Sequence, residues 1–217
     1  MTEHTNPETL EIPFRTLGAA FADYAGRHPG KTAIHAIDQE ISITFGELNL
    51  LTNRIATRMM SEGIRGGDRV AILTGECVEK LLLMFAAWRC GASACPFHAE
   101  IAPNHMRSIL KTIDPRLIVW RSDDVDGVAL ATGLPCSTRE FTKLDSNSGF
   151  FAELPDNTEG LPAPGTEYRP DNEGCIFATS GTTDRPKCVV WDHLGLWLCG
   201  LSTIDFTGMN ADDRLLE

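Results

Sequence analysis

Apolar and aromatic residues in the first part of the chain recur at helical and strand-like intervals. Steps of three and four positions predict one face of a helix formed by Phe14, Leu17, Phe21 and Tyr24. The His28-Pro29-Gly30 segment should end this helix, because proline and glycine both interrupt helical geometry. Residues 32–37 and 40–43 then predict two short strands around a turn at Asp38-Gln39.

The next segment has the pattern of a capped helix followed by a buried strand. Thr44 and Glu47 have the spacing of a capping box, in which the two residues satisfy each other's backbone N–H groups. Gly63 is placed to end the helix in a left-handed conformation. The apolar run at residues 69–73 predicts a buried strand. The apolar stripe of the helix comprises Leu48, Leu51, Ile55 and Met59.

Helices and strands continue to alternate up to residue 120. A third helix, ended by Gly91, is predicted by the spacing of Val78, Leu81, Leu82 and Phe85. Residues 92–95 and 117–120 predict two more strands, and between them a helix should begin at Pro103 and end at Asp114-Pro115. This alternation predicts an α/β fold with a mostly parallel sheet flanked by helices.

Residues 145–173 differ in composition from the chain on either side. Four prolines fall here among acidic and small residues, which predicts a long, irregular surface connection that Phe150-Phe151 should anchor to the body. Residues 175–178 then predict another strand. The polar residues 1–12 are expected to be a flexible tail, so the main domain is expected at residues 13–217.

Charge and cysteine content argue against several classes of protein. The chain has 19 basic and 30 acidic residues, and a net charge of −11 disfavours a nucleic-acid partner. Its seven cysteines include no C-x-x-C pair, so a zinc knuckle is not indicated and a reducing, cytoplasmic compartment is expected. The sequence shows no signal peptide and no apolar run long enough to cross a bilayer.

A hydroxyl-rich segment with one glycine and one lysine follows the strand predicted at residues 175–178. It has the sequence Thr179-Ser-Gly-Thr-Thr-Asp-Arg-Pro-Lys187. Hydroxyl and backbone N–H groups can donate hydrogen bonds to phosphate oxygens, and a lysine adds a positive charge. The Walker A spacing is absent. On residue types alone, a polar turn explains the segment as well as a phosphate loop does.

The order of residues in this segment resembles the signature of the adenylate-forming superfamily, roughly T-S-G-T-T-G-x-P-K-G-V-x-x-x-H. That superfamily comprises acyl-CoA synthetases, firefly luciferase and the adenylation domains of peptide synthetases. Residues 43–48, 63–71 and 88–96 are similar to three earlier motifs of the same family, in the same order. Asp184 and Cys188 stand where the family usually has glycine. The signature is matched at Thr179, Ser180, Gly181, Thr182, Thr183, Pro186, Lys187, Val189 and His193.

The resemblance implies the N-terminal part of the large domain of an adenylate-forming enzyme. Such an enzyme activates a small carboxylic acid with ATP through an acyl-adenylate, most often followed by transfer to coenzyme A, as in fatty acid metabolism. The implied cofactors are ATP, Mg²⁺ and coenzyme A. Lys187 would neutralise phosphate charge and Gly181 would allow close approach, with Lys187 and Thr182 as the catalytic pair. Hydrogen bonds to the phosphates would come from Thr179, Ser180, Thr182 and Thr183.

Several functional motifs of the family have no counterpart in this sequence. These are its adenine- and Mg²⁺-binding motif, its ribose-binding aspartate and the catalytic lysine of its C-terminal domain. We therefore expect a truncated chain without that C-terminal domain, with the main metal ligands downstream and doubtful activity in isolation. Two alternatives stay open, namely a non-catalytic nucleotide-binding or interaction fragment and an unrelated α/β protein.

Other conspicuous side chains predict structural roles. His193 matches the family histidine, but we expect it to anchor the structure and not to transfer protons. His98 and His105 lack further ligands at metal-binding spacing, so no metal site is expected there. Trp191 and Trp197 follow the hydroxyl-rich segment and are expected in the core, with the wall of a pocket as the alternative.

Overall fold

A computed structural model of the protein describes residues 13–152, 154–179, 187–210 and 212–214. Its first helix, α1 (Leu17–Arg27), starts after Thr16, whose side chain accepts a hydrogen bond from the backbone N–H of Ala19. The helix ends at His28, as the sequence predicts. The predicted flexible tail at residues 1–12 lies outside the described residues.

The predicted strand pair and capped helix follow. Strands β1 (Thr32–Ala36) and β2 (Ile41–Thr44) pair antiparallel in a small sheet of their own. Helix α2 (Phe45–Ser61) begins with the predicted capping box. The Thr44 hydroxyl accepts a hydrogen bond from the Glu47 N–H at 3.3 Å, and the Glu47 carboxylate accepts one from the Thr44 N–H at 2.8 Å. These bonds satisfy backbone donors that a helix start otherwise leaves without partners.

A six-stranded sheet forms the centre of the molecule, in the order β6-β5-β3-β4-β7-β8. All neighbouring strands are parallel except the β7–β8 pair, which is antiparallel. The prediction of a mostly parallel sheet flanked by helices is therefore confirmed. The strands are β3 (Arg69–Leu73), β4 (Ser93–Phe97), β5 (Leu117–Arg121), β6 (Ser137–Phe141), β7 (Glu173–Thr179) and β8 (Lys187–Asp192). The remaining helices are α3 (Val78–Arg89), α4 (Pro103–Ile113), α5 (Gly127–Ala131) and α6 (His193–Thr207).

Two apolar clusters cover the opposite faces of this sheet. Val70 and Ile72 of β3 belong to the cluster that includes residues of α2 and α3. Ala71 and Leu73 belong to the other cluster, which includes residues of α4. Because successive side chains of a strand point to opposite faces, one strand supplies both clusters. The sheet is thus the middle layer of three.

The connection between β6 and β7 has no helix or strand among its described residues. Phe150 and Phe151 are buried within it, which confirms that they anchor it to the body. Glu167 is also buried, so the connection reaches into the protein and is not only a surface loop. Sequence patterns did not predict α5, β6, β8 or α6. Among the described residues, no helix combines the length and the apolar character needed to cross a membrane.

Candidate functional site

The hydroxyl-rich segment connects β7 to β8, the antiparallel pair that forms a hairpin at one edge of the sheet. Thr179 and Lys187 form the last residue pair of this hairpin. The other predicted phosphate ligands, Ser180, Gly181, Thr182 and Thr183, fall within residues 180–186 and lie outside the described residues. The structure therefore places the two ends of the predicted loop opposite each other.

Thr179 and Lys187 are both exposed at the loop end of the hairpin. The Thr179 hydroxyl lies 3.5 Å from the Lys187 carbonyl oxygen, a long hydrogen bond. Directly opposed residues of an antiparallel pair project from the same face, so the hydroxyl and ammonium groups share one side of the hairpin. Among the described residues, no ion pair involves Lys187. A hydroxyl group held only by this long hydrogen bond and an ammonium charge therefore lie together at this point.

Cys188, one of the departures from the family signature, projects from the other face of the hairpin. It pairs with Ala178 and packs against the cluster between the sheet and α4. Burial raises the pKa of its thiol. The side chain that replaces a family glycine is therefore accommodated by the core, away from the face that carries Lys187.

A cleft of about 1480 Å³ adjoins Thr179 at the carboxyl ends of β4 and β7. Its walls include residues of the β1–β2 hairpin, the start of α3 and the β4–α4 connection. The chain leaves β3 for β4 on one side and later returns to place β5 on the other side of β3. In open α/β sheets, ligands bind outside the carboxyl ends of the strands at such a reversal. The cleft lies on the carboxyl-end side of the sheet, where such folds bind ligands, but it opens beside β4 and β7 and not at the reversal between β3 and β5.

Two contacts fix the start of β7, at the base of the hairpin, which is the end opposite the loop. The guanidinium of Arg69 binds both carboxylate oxygens of Glu173, at 2.7 and 2.8 Å, and this lowers the pKa of Glu173. The indole N–H of Trp88 donates a hydrogen bond to the Gly174 carbonyl oxygen at 2.6 Å. The base of β7 is thus held by α3 and, across the intervening strand β4, by β3.

His193 fixes the other strand of the hairpin where β8 joins α6. Its imidazole stacks on the ring of Tyr168 with centroids 3.4 Å apart, and only 4% of the residue is exposed. Burial lowers the pKa of His193 to about 4. Its backbone N–H donates to the Asn172 carbonyl oxygen at 3.0 Å. The structure thus places His193 in a packed anchor and not in the cleft, in agreement with the expected structural role.

The remaining residues considered in the sequence lie in different environments. Trp191 is 39% exposed, so the expectation that it lies in the core is wrong. It is exposed because β8 is an edge strand with little packed against it. Trp197 is half-buried. His98 and His105 line the cleft. The described part of the chain contains no group of three or more His, Cys, Asp or Glu residues placed to hold a metal ion.

The sequence predicts a solvated loop, and not a cation site, for the acidic run at residues 123–126, but one carboxylate of this run makes specific contacts. Asp124 follows β5, and its carboxylate accepts hydrogen bonds from the Thr74 hydroxyl at 2.8 Å and the Gly75 N–H at 2.9 Å. These contacts tie together the connections that follow two adjacent parallel strands. An aspartate shortly after a predicted strand is the only sequence signal for this role, and it is a weak one.

Comparison with protein families gives a match over most of the chain. The model described as "AMP-binding enzyme" matches residues 21–217. The long-chain-fatty-acid–CoA ligase FadD13 of Mycobacterium tuberculosis is 28% identical over 180 residues, covering 82% of this chain and 35% of the relative. Surfactin synthase subunit 2 of Bacillus subtilis is 28% identical over 209 residues, covering 95% of this chain and 6% of the relative. The chain thus spans about a third or less of the length of these relatives.

Solved structures show the same fold. ATP-bound MatB from Rhodopseudomonas palustris superposes with a TM-score of 0.76 at 25% identity, covering 92% of this chain and 39% of that chain. The N-terminal domain of FACL13 from Mycobacterium tuberculosis gives a TM-score of 0.69 at 23% identity, covering 83% of this chain and 45% of that chain. The sheet with helices on both faces, and the hairpin at its edge, therefore follow a known architecture.

Proposed function

This chain belongs to the AMP-binding enzyme family, and on that premise we propose that its β7–β8 hairpin binds the phosphates of ATP during carboxylate activation. One observation carries the proposal. Thr179 lies opposite Lys187 at the exposed loop end of the hairpin, and Thr179 also lines the cleft. The donor set fits phosphate chemistry, since a hydroxyl supplies a hydrogen bond and an ammonium supplies charge. In this proposal, Ser180, Gly181, Thr182 and Thr183 complete the phosphate-binding loop.

The proposed reaction begins when a carboxylate oxygen attacks the α-phosphorus of ATP. The bond from that phosphorus to the bridging oxygen breaks, so an acyl-adenylate forms and pyrophosphate leaves. Negative charge grows on the departing β- and γ-phosphates. Lys187 would stabilise that charge, and preorganised donors of this kind lower a barrier because they need no rearrangement during the reaction. Mg²⁺ would add positive charge at the phosphates when bound.

We propose coenzyme A as the acceptor in a second step. Its thiol would displace AMP from the acyl-adenylate and form a thioester. The run Arg185–Val190 favours this branch, because it resembles small-acid CoA ligases. A carrier-protein thiol is the competing acceptor, since the relatives include both a CoA ligase and a surfactin synthase subunit. The small carboxylic acid itself is not specified by the described residues.

A non-catalytic role in nucleotide binding is the second candidate function. Asp184 favours it, because a carboxylate in the loop would repel phosphate oxygens. Cys188 gives it less support, since its side chain packs into the core on the face opposite Lys187. Both candidates require phosphate binding, and they differ in whether the acyl-adenylate forms.

Titration of the 217-residue chain with ATP and with pyrophosphate tests the shared step. We expect NMR signals of Thr179 and Lys187 to shift, and Lys187→Ala to weaken binding of both ligands. Lys111→Ala is the matched control, because Lys111 is an exposed lysine of α4 and is not part of the hairpin. Equal binding by both variants and the wild-type chain would contradict a phosphate role for the hairpin.

A further inference from the structure

The side chain of Asp124 bridges the carboxyl ends of β3 and β5, where the order of the strands reverses. Its Oδ2 atom accepts two hydrogen bonds, from the Thr74 hydroxyl at 2.8 Å and from the Gly75 N–H at 2.9 Å. Thr74 and Gly75 directly follow β3, whereas Asp124 follows β5. Two donors from one strand end therefore converge on a single carboxylate oxygen from the neighbouring strand end.

Backbone contacts hold both sides of this bridge in place. The Arg121 carbonyl oxygen accepts hydrogen bonds from the N–H groups of Asp124 and Val125, at 3.0 and 3.2 Å. On the other side, the Thr74 N–H donates to the Phe97 carbonyl oxygen at 3.4 Å, and Thr74 is 0% exposed. None of these bonds uses the Asp124 carboxylate. We therefore expect the two donors to keep their positions when that carboxylate is removed.

We propose that Thr74 and Gly75 form a carboxylate-binding site, which the chain occupies with its own Asp124. Hydrogen bonds to a charged acceptor are about twice as strong as those between neutral groups, so this donor pair favours a carboxylate oxygen. Asp124 thereby closes the reversal to free ligands. This agrees with the position of the cleft, which opens beside β4 and β7. The inference goes beyond the proposed function and does not depend on it.

Removal of this carboxylate should create a site for a small free carboxylate, and thermal unfolding with acetate tests this. Asp124→Ala should unfold at a lower temperature than the wild-type chain, because it leaves the buried Thr74 hydroxyl without its acceptor. Acetate makes few contacts, so we expect a dissociation constant in the millimolar range. At about ten times that concentration, acetate should raise the unfolding midpoint of Asp124→Ala by roughly 3–6 °C.

Two matched variants and one salt control separate binding from other effects. Asp123 is an exposed aspartate beside Asp124, so Asp123→Ala should not respond to acetate. Asp124→Asn keeps an oxygen that can accept both hydrogen bonds, so it should be less destabilised than Asp124→Ala and gain nothing from acetate. Sodium chloride at the same ionic strength accounts for screening. In NMR spectra of Asp124→Ala, the Gly75 amide signal should shift with acetate and reach saturation.

Acetate that neither raises the midpoint of Asp124→Ala nor restores its fold overturns the proposal. Equal stabilisation of the wild-type chain and Asp124→Ala overturns it as well, because the effect would then not need the vacated site. An Asp124→Ala chain as stable as the wild type would show that the bridge contributes nothing. Inorganic phosphate is tetrahedral and larger than the planar group removed, so stabilisation by phosphate equal to that by acetate would overturn the assignment to carboxylates.

Discussion

Arg89 and Glu167 form an ion pair in the interior, with Nη1 of Arg89 3.1 Å from Oε1 of Glu167. The two side chains are 7% and 0% exposed. Burial lowers the pKa of Arg89, and the charge of Glu167 opposes that change. Glu167 also accepts hydrogen bonds from the Thr16 hydroxyl and the Gly165 N–H, each at 2.7 Å. This pair therefore joins α1, α3 and the long connection.

Glu167→Gln should lower the free energy of unfolding by about 3–5 kcal/mol, because it leaves the Arg89 charge buried without its partner. Urea denaturation measures this, with Glu159→Gln as the control, since Glu159 is exposed in the same connection. Arg89→Met combined with Glu167→Gln should cost less than the sum of the single changes. Strict additivity would show that the two side chains are not energetically coupled.

Gly18 and Gly26 in α1 should respond oppositely to alanine. A Cβ atom at Gly18 would lie 1.8 Å from Oε1 of Glu167, whereas one at Gly26 has no neighbour within 4 Å. Gly18→Ala should destabilise the protein by about 1–3 kcal/mol through overpacking. Gly26→Ala should stabilise it by about 0.5–1 kcal/mol, because alanine loses less backbone entropy in a helix. Similar unfolding midpoints for the two variants would argue against close packing of α1 on Glu167.

His193 should make stability dependent on pH in a defined window. Its pKa in the folded protein, about 4, lies below the ordinary value of 6.5, so folding favours the neutral imidazole. The contribution is complete above pH 6.5 and is lost progressively as the pH falls towards 4. NMR titration should show His193 protonating with a pKa of about 4, well below the ordinary histidine value of 6.5. His193→Gln should flatten the pH dependence of the urea midpoint within this window, and an unchanged slope would exclude the effect.

Lys187 should matter more for adenylate formation than for thioester formation in a longer form of the protein that contains the downstream motifs. Pyrophosphate leaves before the thiol attacks, so a lysine that holds it acts in the first step. Lys187→Ala should slow carboxylate-dependent exchange of pyrophosphate into ATP by about 10²–10³, equivalent to about 2–4 kcal/mol. Thioester formation from supplied acyl-adenylate should change far less. Equal losses in both steps would point to a structural role for Lys187.

Local patterns predicted the elements whose stabilisation is local. The Thr44–Glu47 capping box and the apolar run at residues 69–73 led directly to α2 and β3. Strand β6 was missed because Arg139 and Glu140 make its sequence polar. Helix α6 was missed because a segment without a polar face gives no helical periodicity.

Long-range pairing explains the other gaps between sequence and structure. The burial of Glu167 depends on Arg89 and Thr16, which lie far away in the sequence, and the prolines around Glu167 indicated only a loop. At the candidate site, resemblance to the family signature predicted Thr179 and Lys187 as phosphate ligands. Their position opposite each other became apparent only once β8 was seen to pair with β7.

The β7–β8 hairpin is held at its base by Arg69, Trp88 and Tyr168. At its loop end, Thr179 and Lys187 are exposed. Folding and loop chemistry therefore rely on different residues. A substitution between Thr179 and Lys187 leaves these contacts at the base of the hairpin in place. Relatives that have lost catalysis can thus persist as intact proteins, and the residues at the base of the hairpin will not distinguish them from active enzymes.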